Sequence, residues 1–552
     1  CVPNLVGLSS PTSTLGPAFD PAVFTYSSQI SIFAETVSFT ATAPDGTQLA
    51  IDGQSVASGT TWTSSTLALG ANEFSIDLSV DGTVVRTYQV TVTRGDPIAY
   101  LKASNVDTGD TFGDAIAISA DGSTLAVGAP LERSSSSGIN GDQVNDDTRT
   151  AGAAYVFVRD GNAWTQQAYI KASNTGPLWA FGASLTLSAD GNTLAVGAPG
   201  ESRPSSGING DEETGEADGA GAVYVFVRDG AEWQQQAYVK ASNTGERDDF
   251  GRAVALSADG NTMAVGATGE DSASTGIGGF QEGSETVDSG AVYVFARAGS
   301  TWTQNAYVKA SNTGLGDHFG SAVALSGDGN TLAVGAPEED SGSTGVAGSQ
   351  QNDDALDSGA VYVFWRNNNV WKQQVYVKAS DSNPNAQVGV SLSLSSDGNT
   401  LAIGSWGEAA YVLTRDGSDW SQYAILQASN ANEGAIGFGS AVSLAGDGQV
   451  LVVGAEYEGS PATSLDGSQT YDENSYLYNA GAVYIFGKEA STWSRRHYVK
   501  ATNTDRPDYF GCTVAMSSDG DIVAVGAWNE ASGNGDPNDN RAGSAGAVYV
   551  YR

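Results

Sequence analysis

The stretch Phe250-Gly251-Arg252-Ala253-Val254-Ala255-Leu256-Ser257-Ala258-Asp259-Gly260-Asn261-Thr262-Met263-Ala264-Val265-Gly266-Ala267 decides the fold. Two short apolar runs flank an Asp-Gly pair, and such a pair between β-prone segments is the strongest short-range signal for a tight hairpin. Phe-Gly opens the unit and Gly-Ala closes it. The same sentence recurs along the chain. Phe112-Gly113, Phe181-Gly182, Phe250-Gly251 and Phe319-Gly320 are spaced by 69 residues, and Val388-Gly389, Phe438-Gly439 and Phe510-Gly511 continue the series. Asp121-Gly122, Asp190-Gly191, Asp259-Gly260, Asp328-Gly329, Asp397-Gly398, Asp447-Gly448 and Asp519-Gly520 accompany them, which makes seven units.

Working outward, each unit adds a third strand rich in β-branched and aromatic residues, such as Ala222-Val223-Tyr224-Val225-Phe226. A short turn, Arg228-Asp229-Gly230, leads to a fourth strand running from Trp233 to Lys240. Four antiparallel strands repeated seven times predict an all-β, seven-bladed β-propeller with four-stranded blades. The seventh unit ends at Tyr551-Arg552 after its third strand. Ala99-Tyr100-Leu101-Lys102-Ala103-Ser104 matches the fourth-strand pattern Ala237-Tyr238-Val239-Lys240-Ala241-Ser242, so the strand at 98–104 is expected to close the last blade.

The succession Phe-Gly, Asp-Gly, Gly-Ala-Pro, complete at Gly128-Ala129-Pro130, Gly197-Ala198-Pro199 and Gly335-Ala336-Pro337, resembles the FG-GAP repeat of the integrin α-chain propeller and its bacterial relatives. The resemblance spans residues 98–552 and implies a recognition or adhesion role. Integrin-type repeats often hold Ca²⁺ in an Asp-x-Asp-x-Asp-Gly hairpin loop. Here the hairpin is shortened to Ser188-Ala189-Asp190-Gly191-Asn192, so that calcium site does not carry over.

Residues 1–95 do not repeat, and residues 96–552 form the propeller domain. Thr36-Val37-Ser38-Phe39-Thr40, Phe74-Ser75-Ile76-Asp77-Leu78 and Tyr88-Gln89-Val90-Thr91-Val92 alternate between turns at Pro44-Asp45-Gly46, Gly70-Ala71-Asn72 and Asp81-Gly82, which predicts a small β-sandwich. Leu15, Phe19-Asp20-Pro21, Tyr26 and the closing Tyr88 to Arg94 resemble the cadherin-like β-sandwich of bacterial surface proteins. Arg94-Gly95-Asp96 spells the tripeptide that integrins recognise, but a strand end followed by a Gly-Asp-Pro turn explains it with ordinary linker chemistry. The opening Cys1-Val2-Pro3-Asn4 resembles a mature bacterial lipoprotein, which implies acylation of Cys1, membrane attachment through that residue alone and a surface-exposed place on the bacterial outer membrane.

The net charge is −38, from 25 Lys and Arg against 63 Asp and Glu, which repels phosphate backbones and excludes nucleic-acid binding. Two histidines and two cysteines leave little material for His- or Cys-based catalysis. Cys512, following Phe510-Gly511, reads as a small strand residue.

In an up-and-down blade, the first-to-second and third-to-fourth turns share one face of the ring. The second-to-third loops and blade-to-blade loops share the other. Long inserts at 131–151, 200–219, 269–289, 338–358, 456–480 and 528–545 therefore lie on one face and hold 29 of the 63 acidic residues against 4 basic ones. Asp142, Asp146 and Asp147, Asp211, and Asp353, Asp354 and Asp357 offer the hard oxygen ligands that Ca²⁺ prefers. Asp110, Asp248, Asp317 and Asp508 recur two residues before the Phe and join them as candidate Ca²⁺ ligands.

Lys102, Lys171, Lys240, Lys309, Lys378 and Lys500, replaced once by Gln427, are expected to protect strand edges and pair with loop carboxylates. Trp164, Trp233, Trp302, Trp371, Trp420 and Trp493 are expected to pack between blades. The fifth unit runs from Gly404 through Trp406 almost directly into its third strand, which leaves a notch in the ring of loops. Trp406, with Trp179 and Trp528 on the same face, is a candidate ligand-facing aromatic.

These features favour a non-enzymatic surface protein that binds or adheres to a protein or glycan ligand through the acidic face. A structural protein docking onto another envelope assembly is the alternative. A propeller hydrolase is less favoured, because no nucleophile elbow or His-based site accompanies the carboxylates.

Overall fold

The computed structural model describes residues 2–552 except 33, 69, 95–97, 351, 382, 407–408, 432–436, 464, 470–478, 506, 534–535 and 537–538. Cys1 and the Gly95-Asp96 pair thus lie outside the described residues. The chain divides into two compact units, one holding residues up to Ile98 together with Tyr551–Arg552, the other Ala99–Val550.

The amino-terminal unit packs two sheets face to face. One joins Gly7–Ser9, Ser38–Thr42 and Thr61–Thr63; the other joins Thr25–Ile30, Thr83–Arg94, Gly70–Val80, Gln48–Ile51 and Gln54–Val56. Alternation turns Phe39, Ile76, Leu78, Tyr88, Val90 and Val92 inward, where they are fully buried. Gly70-Ala71-Asn72 opens the long strand Gly70–Val80 instead of forming a turn, because it pairs with Asn72 opposite Val92 and Gly70 opposite Arg94. The Arg94 guanidinium is buried and donates to the carbonyls of Ile32 and Leu67 at 3.0 and 2.9 Å, so it serves the sandwich.

In the second unit the described residues form seven four-stranded sheets. The first blade consists of Ala115–Ile118, Thr124–Ala129, Ala153–Asp160 and Ala163–Ile170, each antiparallel to the next. The last is Val514–Met516, Val523–Ala527, Ala547–Tyr551 and then Ala99–Leu101, with Val548 opposite Leu101 and Tyr549 opposite Tyr100. The strand after the sandwich closes the ring, as its sequence match predicts.

Two contacts between successive blades explain the repeated motif. The Gly of Phe-Gly has positive φ in all seven units, from 91° at Gly511 to 100° at Gly320. Its carbonyl lies against the Gly of the preceding Gly-Ala: a Cβ on Gly128 would collide with the Gly182 oxygen, and one on Gly526 with the Gly113 oxygen. At the hairpin turns, the amide of Ala120 donates to Ala189, Ala189 to Ala258, Ala258 to Gly327, Gly327 to Ser396, Ser396 to Gly446, Gly446 to Ser518 and Ser518 back to Ala120, all at 2.8–2.9 Å. Seven blades thus close a complete circle of backbone hydrogen bonds.

The lysines on the fourth strands do not guard exposed edges. Each is buried against a glutamate that opens its own blade's long loop: Lys171–Glu132 and Lys240–Glu201 at 2.6 Å, Lys309–Glu270 at 2.7, Lys378–Glu339 at 2.8, and Lys500–Glu458 and Lys102–Glu530 at 3.0. The edge is covered by other means. The loop doubles back along the fourth strand, so that Ile139 bridges Ile170, Ile208 bridges Val239, Ile277 bridges Val308 and Val346 bridges Val377.

Each glutamate also reaches the neighbouring blade. Asn105, at the exit of the last blade, donates to Glu132 at 3.0 Å and accepts from Tyr155 at 2.6 Å; Asn174, Asn243, Asn312, Asn430 and Asn503 repeat the link to Glu201, Glu270, Glu339, Glu458 and Glu530. Gln427 removes the cation from the fifth blade. The tryptophans do pack between blades: Trp233 donates to Gln167 of the preceding blade at 2.9 Å beneath the Arg228 guanidinium.

Removal of residues 98–104 strips the fourth strand from the last blade and Lys102 from Glu530, so a cooperative thermal transition of the propeller is expected to disappear; a native-like melting curve would refute the closure. Lys240→Met leaves Glu201 buried without its cation, and is expected to cost about 3–5 kcal/mol in urea unfolding. The double variant Lys240→Met with Glu201→Leu is expected to cost less than the sum of the single changes.

Candidate functional site

The loop face is less free than its charge suggests. Six of its glutamates are consumed in the buried pairs, and the middle of four inserts is bound to strand edges. Side chains left to solvent include Asp142, Asp146, Asp147, Asp211, Asp353 and Asp354, with Asp357 half-buried. Beside them stand large apolar groups that a solvated coat does not need: Val144 is 89 % exposed, Phe280 and Leu315 70 %, and Leu178 and Leu356 are exposed as well.

Asp110, Asp248, Asp317 and Asp508 are buried beneath this surface. Each accepts the amide three residues upstream: Asp107 at 3.2 Å, Gly245 at 2.7, Gly314 at 2.8 and Asp505 at 2.9. They brace the blade-to-blade loop. Burial pushes each carboxyl from 3.8 up to about 7, with help from Glu132, Glu270, Glu339 and Glu530 respectively. Among the described residues no group of three or more His, Cys, Asp or Glu side chains is gathered as metal ligands would be. Among the described residues, the exposed carboxylates and the buried series are thus not gathered into one set of ligands.

The seven first strands line a central cavity of about 360 Å³ with aliphatic and small side chains, including Ile116, Leu185, Val254, Val323, Leu392 and Val514. No titratable side chain lines it. The residue after Phe-Gly or Val-Gly is polar or ionisable in five of the seven units, Asp114, Arg252, Ser321, Ser440 and Cys512, and apolar in the other two, Ala183 and Val390. Burial raises Asp114 to about 6, with Arg252 opposing, and raises Glu456 to about 7, with Asp114 adding to the effect. Cys512 lies 3.9 Å from the Gly113 carbonyl, and burial pushes its thiol up. His318 meets Glu338 at 2.8 Å.

The three candidate aromatics separate. Trp179 is only 4 % exposed, packed under the Arg203 guanidinium at the position where other blades carry the buried aspartate, so it is not ligand-facing. Trp406 is 37 % exposed and Trp528 is half-buried. Two tyrosines join them into one line: Trp406 to Tyr457 at 5.7 Å, Tyr457 to Tyr509 at 5.7 Å, and Tyr509 stacked on Trp528 at 4.8 Å and 9°. The line crosses blades five, six and seven.

Tyr457 and Tyr509 escape a reading of single residues. Their signal is positional: after the second-strand Gly-Ala or Gly-Ser come Pro130, Pro199, Thr268 and Pro337 in the first four units, but Trp406, Glu456-Tyr457 and Trp528 in the last three.

The raised aspartates carry a pH signature. Between about pH 4 and 7 the folded chain holds protons that the unfolded chain has released, so stability falls as pH rises through that window. The hairpin aspartates Asp190, Asp259 and Asp328 act oppositely. Burial pushes them up, but hydrogen bonds from Ser188 and Asn192, and their equivalents, more than offset it and hold them below 3.8, a stabilisation lost on acidification. Maximal thermal stability is expected between these limits, on the acidic side of neutrality. Asp248→Asn with Asp317→Asn should flatten the decline between about pH 4 and 7 in scanning calorimetry, and an unchanged slope would count against it.

Residues 8–95 match the cadherin-like beta sandwich domain family, and residues 233–295, 302–364 and 493–551 match the FG-GAP repeat family. No curated protein sequence matches the chain. Similar solved structures include a chain of the mitotic checkpoint complex, 12 % identical over 83 % of this chain and 92 % of that one with a TM-score of 0.44. Another is the Pseudomonas aeruginosa periplasmic gluconolactonase PpgL, 15 % identical over 78 % of this chain and 92 % of that one with a TM-score of 0.42. The chain thus carries a cadherin-like β-sandwich followed by FG-GAP repeats, domain types of surface and adhesion proteins.

Proposed function

We propose that this protein is a binding or adhesion protein at a cell surface, and that it meets a protein or glycan ligand with the loop face of its propeller. The supporting observation is the contrast between the two faces. The hairpin face consists of tight turns fastened by the circle of backbone hydrogen bonds. The loop face combines exposed carboxylates with exposed Val144, Leu178, Phe280, Leu315 and Leu356 on a rigid scaffold, the mixture that recognition surfaces use. The purely aliphatic and small-residue lining of the central cavity favours binding over catalysis within it.

Charge on the rim of such a surface acts on association rate and on its salt dependence. Retention of whole cells or envelope fragments on immobilised protein is expected to weaken in Asp142→Asn/Asp146→Asn/Asp147→Asn. The same charge removal on the hairpin face, Asp160→Asn/Asp229→Asn/Asp416→Asn, should leave retention unchanged. Equal effects from both sets would show that the face has no special role. A co-purifying envelope protein released by the first set would instead identify a docking partner.

A further inference from the structure

We propose that Trp406, Tyr457, Tyr509 and Trp528 form a stacking platform for the sugar rings of a neutral glycan on the loop face of blades five, six and seven. The proposal rests on the loop face being the recognition surface and names the ligand class of one part of it.

Three observations converge. First, the four rings touch in succession, edge to face at 5.7 Å and 65° and at 5.7 Å and 86°, then stacked at 4.8 Å and 9°, and they come from four separate loops on three consecutive blades. Residues distant in the chain have been brought into one line. Secondly, the rings remain partly open to solvent, whereas aromatics that fill blade seams are almost wholly buried, as Phe438, Phe510, Tyr484 and Tyr498 show. An aromatic line that was only filler would be covered in the same way. Thirdly, the sixth unit carries a glycine that seats the Tyr457 ring. The residue before Phe-Gly is Thr111, Ala180, Asp249, His318, Gln387 or Tyr509 in other units but Gly437 in the sixth. A side chain there would strike the Tyr457 ring at 2.7 Å and approach Glu456 at 3.5 Å.

The chemistry selects the ligand. A pyranose ring offers an apolar face of C–H groups to an indole or phenol ring and hydroxyl donors around its edge. The surrounding negative charge disfavours polyanionic chains, so the glycan is neutral.

Affinity electrophoresis through gels containing laminarin, galactomannan, xylan or hydroxyethylcellulose tests this directly. At least one polymer is expected to retard the protein. Trp406→Ala and Trp528→Ala should each weaken the retardation tenfold or more at an unchanged melting temperature. Trp365→Ala, which removes an exposed tryptophan from the third strand of the fourth blade, should leave it intact. No retardation by any polymer, or retardation unaffected by the Trp406 and Trp528 changes, overturns the platform. Loss of cell retention in the loop-charge variant with normal retention in the tryptophan variants would overturn the platform while leaving loop-face recognition standing. Binding to protein-coated but not polysaccharide-coated surfaces, abolished by Trp406→Ala, would assign the rings to a protein and overturn the glycan.

Discussion

Successive blades approach each other so closely that no Cβ fits between them. The carbonyl of each Phe-Gly glycine lies against the glycine α-carbon of the blade before, from Gly182 on Gly128 round to Gly113 on Gly526. This contact sets the repeat. It demands glycine twice per unit, once for a positive φ and once for lack of a side chain, and it places the Phe or Val between them in a dry seam. The buried lysine–glutamate pairs are then possible, because the seam excludes water from both partners. Each pair stands at the root of a long loop, and the asparagine of the neighbouring blade completes its hydrogen bonds. Packing and loop placement are consequences of one steric limit.

Much of this was legible in the chain itself. Seven Phe-Gly or Val-Gly pairs, seven Asp-Gly turns and the displaced fourth strand at 99–101 are local signals whose geometry follows from short-range rules. The partner of each lysine was not legible to the same degree. Glu132 and its equivalents sit two residues beyond Gly-Ala-Pro among many other acids, and only the fold shows which carboxylate turns inward. Trp179 illustrates the same difficulty from the other side. It looks like an exposed loop aromatic, yet it occupies the niche that Asp110, Asp248, Asp317 and Asp508 fill elsewhere. Contacts assembled from separate loops, such as Tyr457 with Tyr509, leave a trace only when the seven units are compared position by position.

The loops have two tasks that compete for the same residues. Their roots and middles stabilise the ring, through the glutamates and through the bridges that cover the fourth strands. Their tips are left to meet partners. The fifth blade gives up the first task, with Gln427 where the lysine would be, and its short loop carries Trp406 at one end of the aromatic line. Stability and recognition are thereby divided among blades of nearly identical sequence.

The circle of amides on the hairpin face has an electrical consequence. Each residue there donates its N–H to the next blade and accepts at its C=O from the previous one, so the seven bonds run in one sense round the ring and their in-plane components cancel. The seven N–H groups of the circle are already spent. The floor of the channel therefore offers an anion no nest of free amides and a cation no converging carbonyls, in contrast to a helix end. Whatever charge preference the channel has is imposed from the opposite side, where Asp114, Arg252 and Glu456 stand, and an ion arriving from the floor meets a neutral gate.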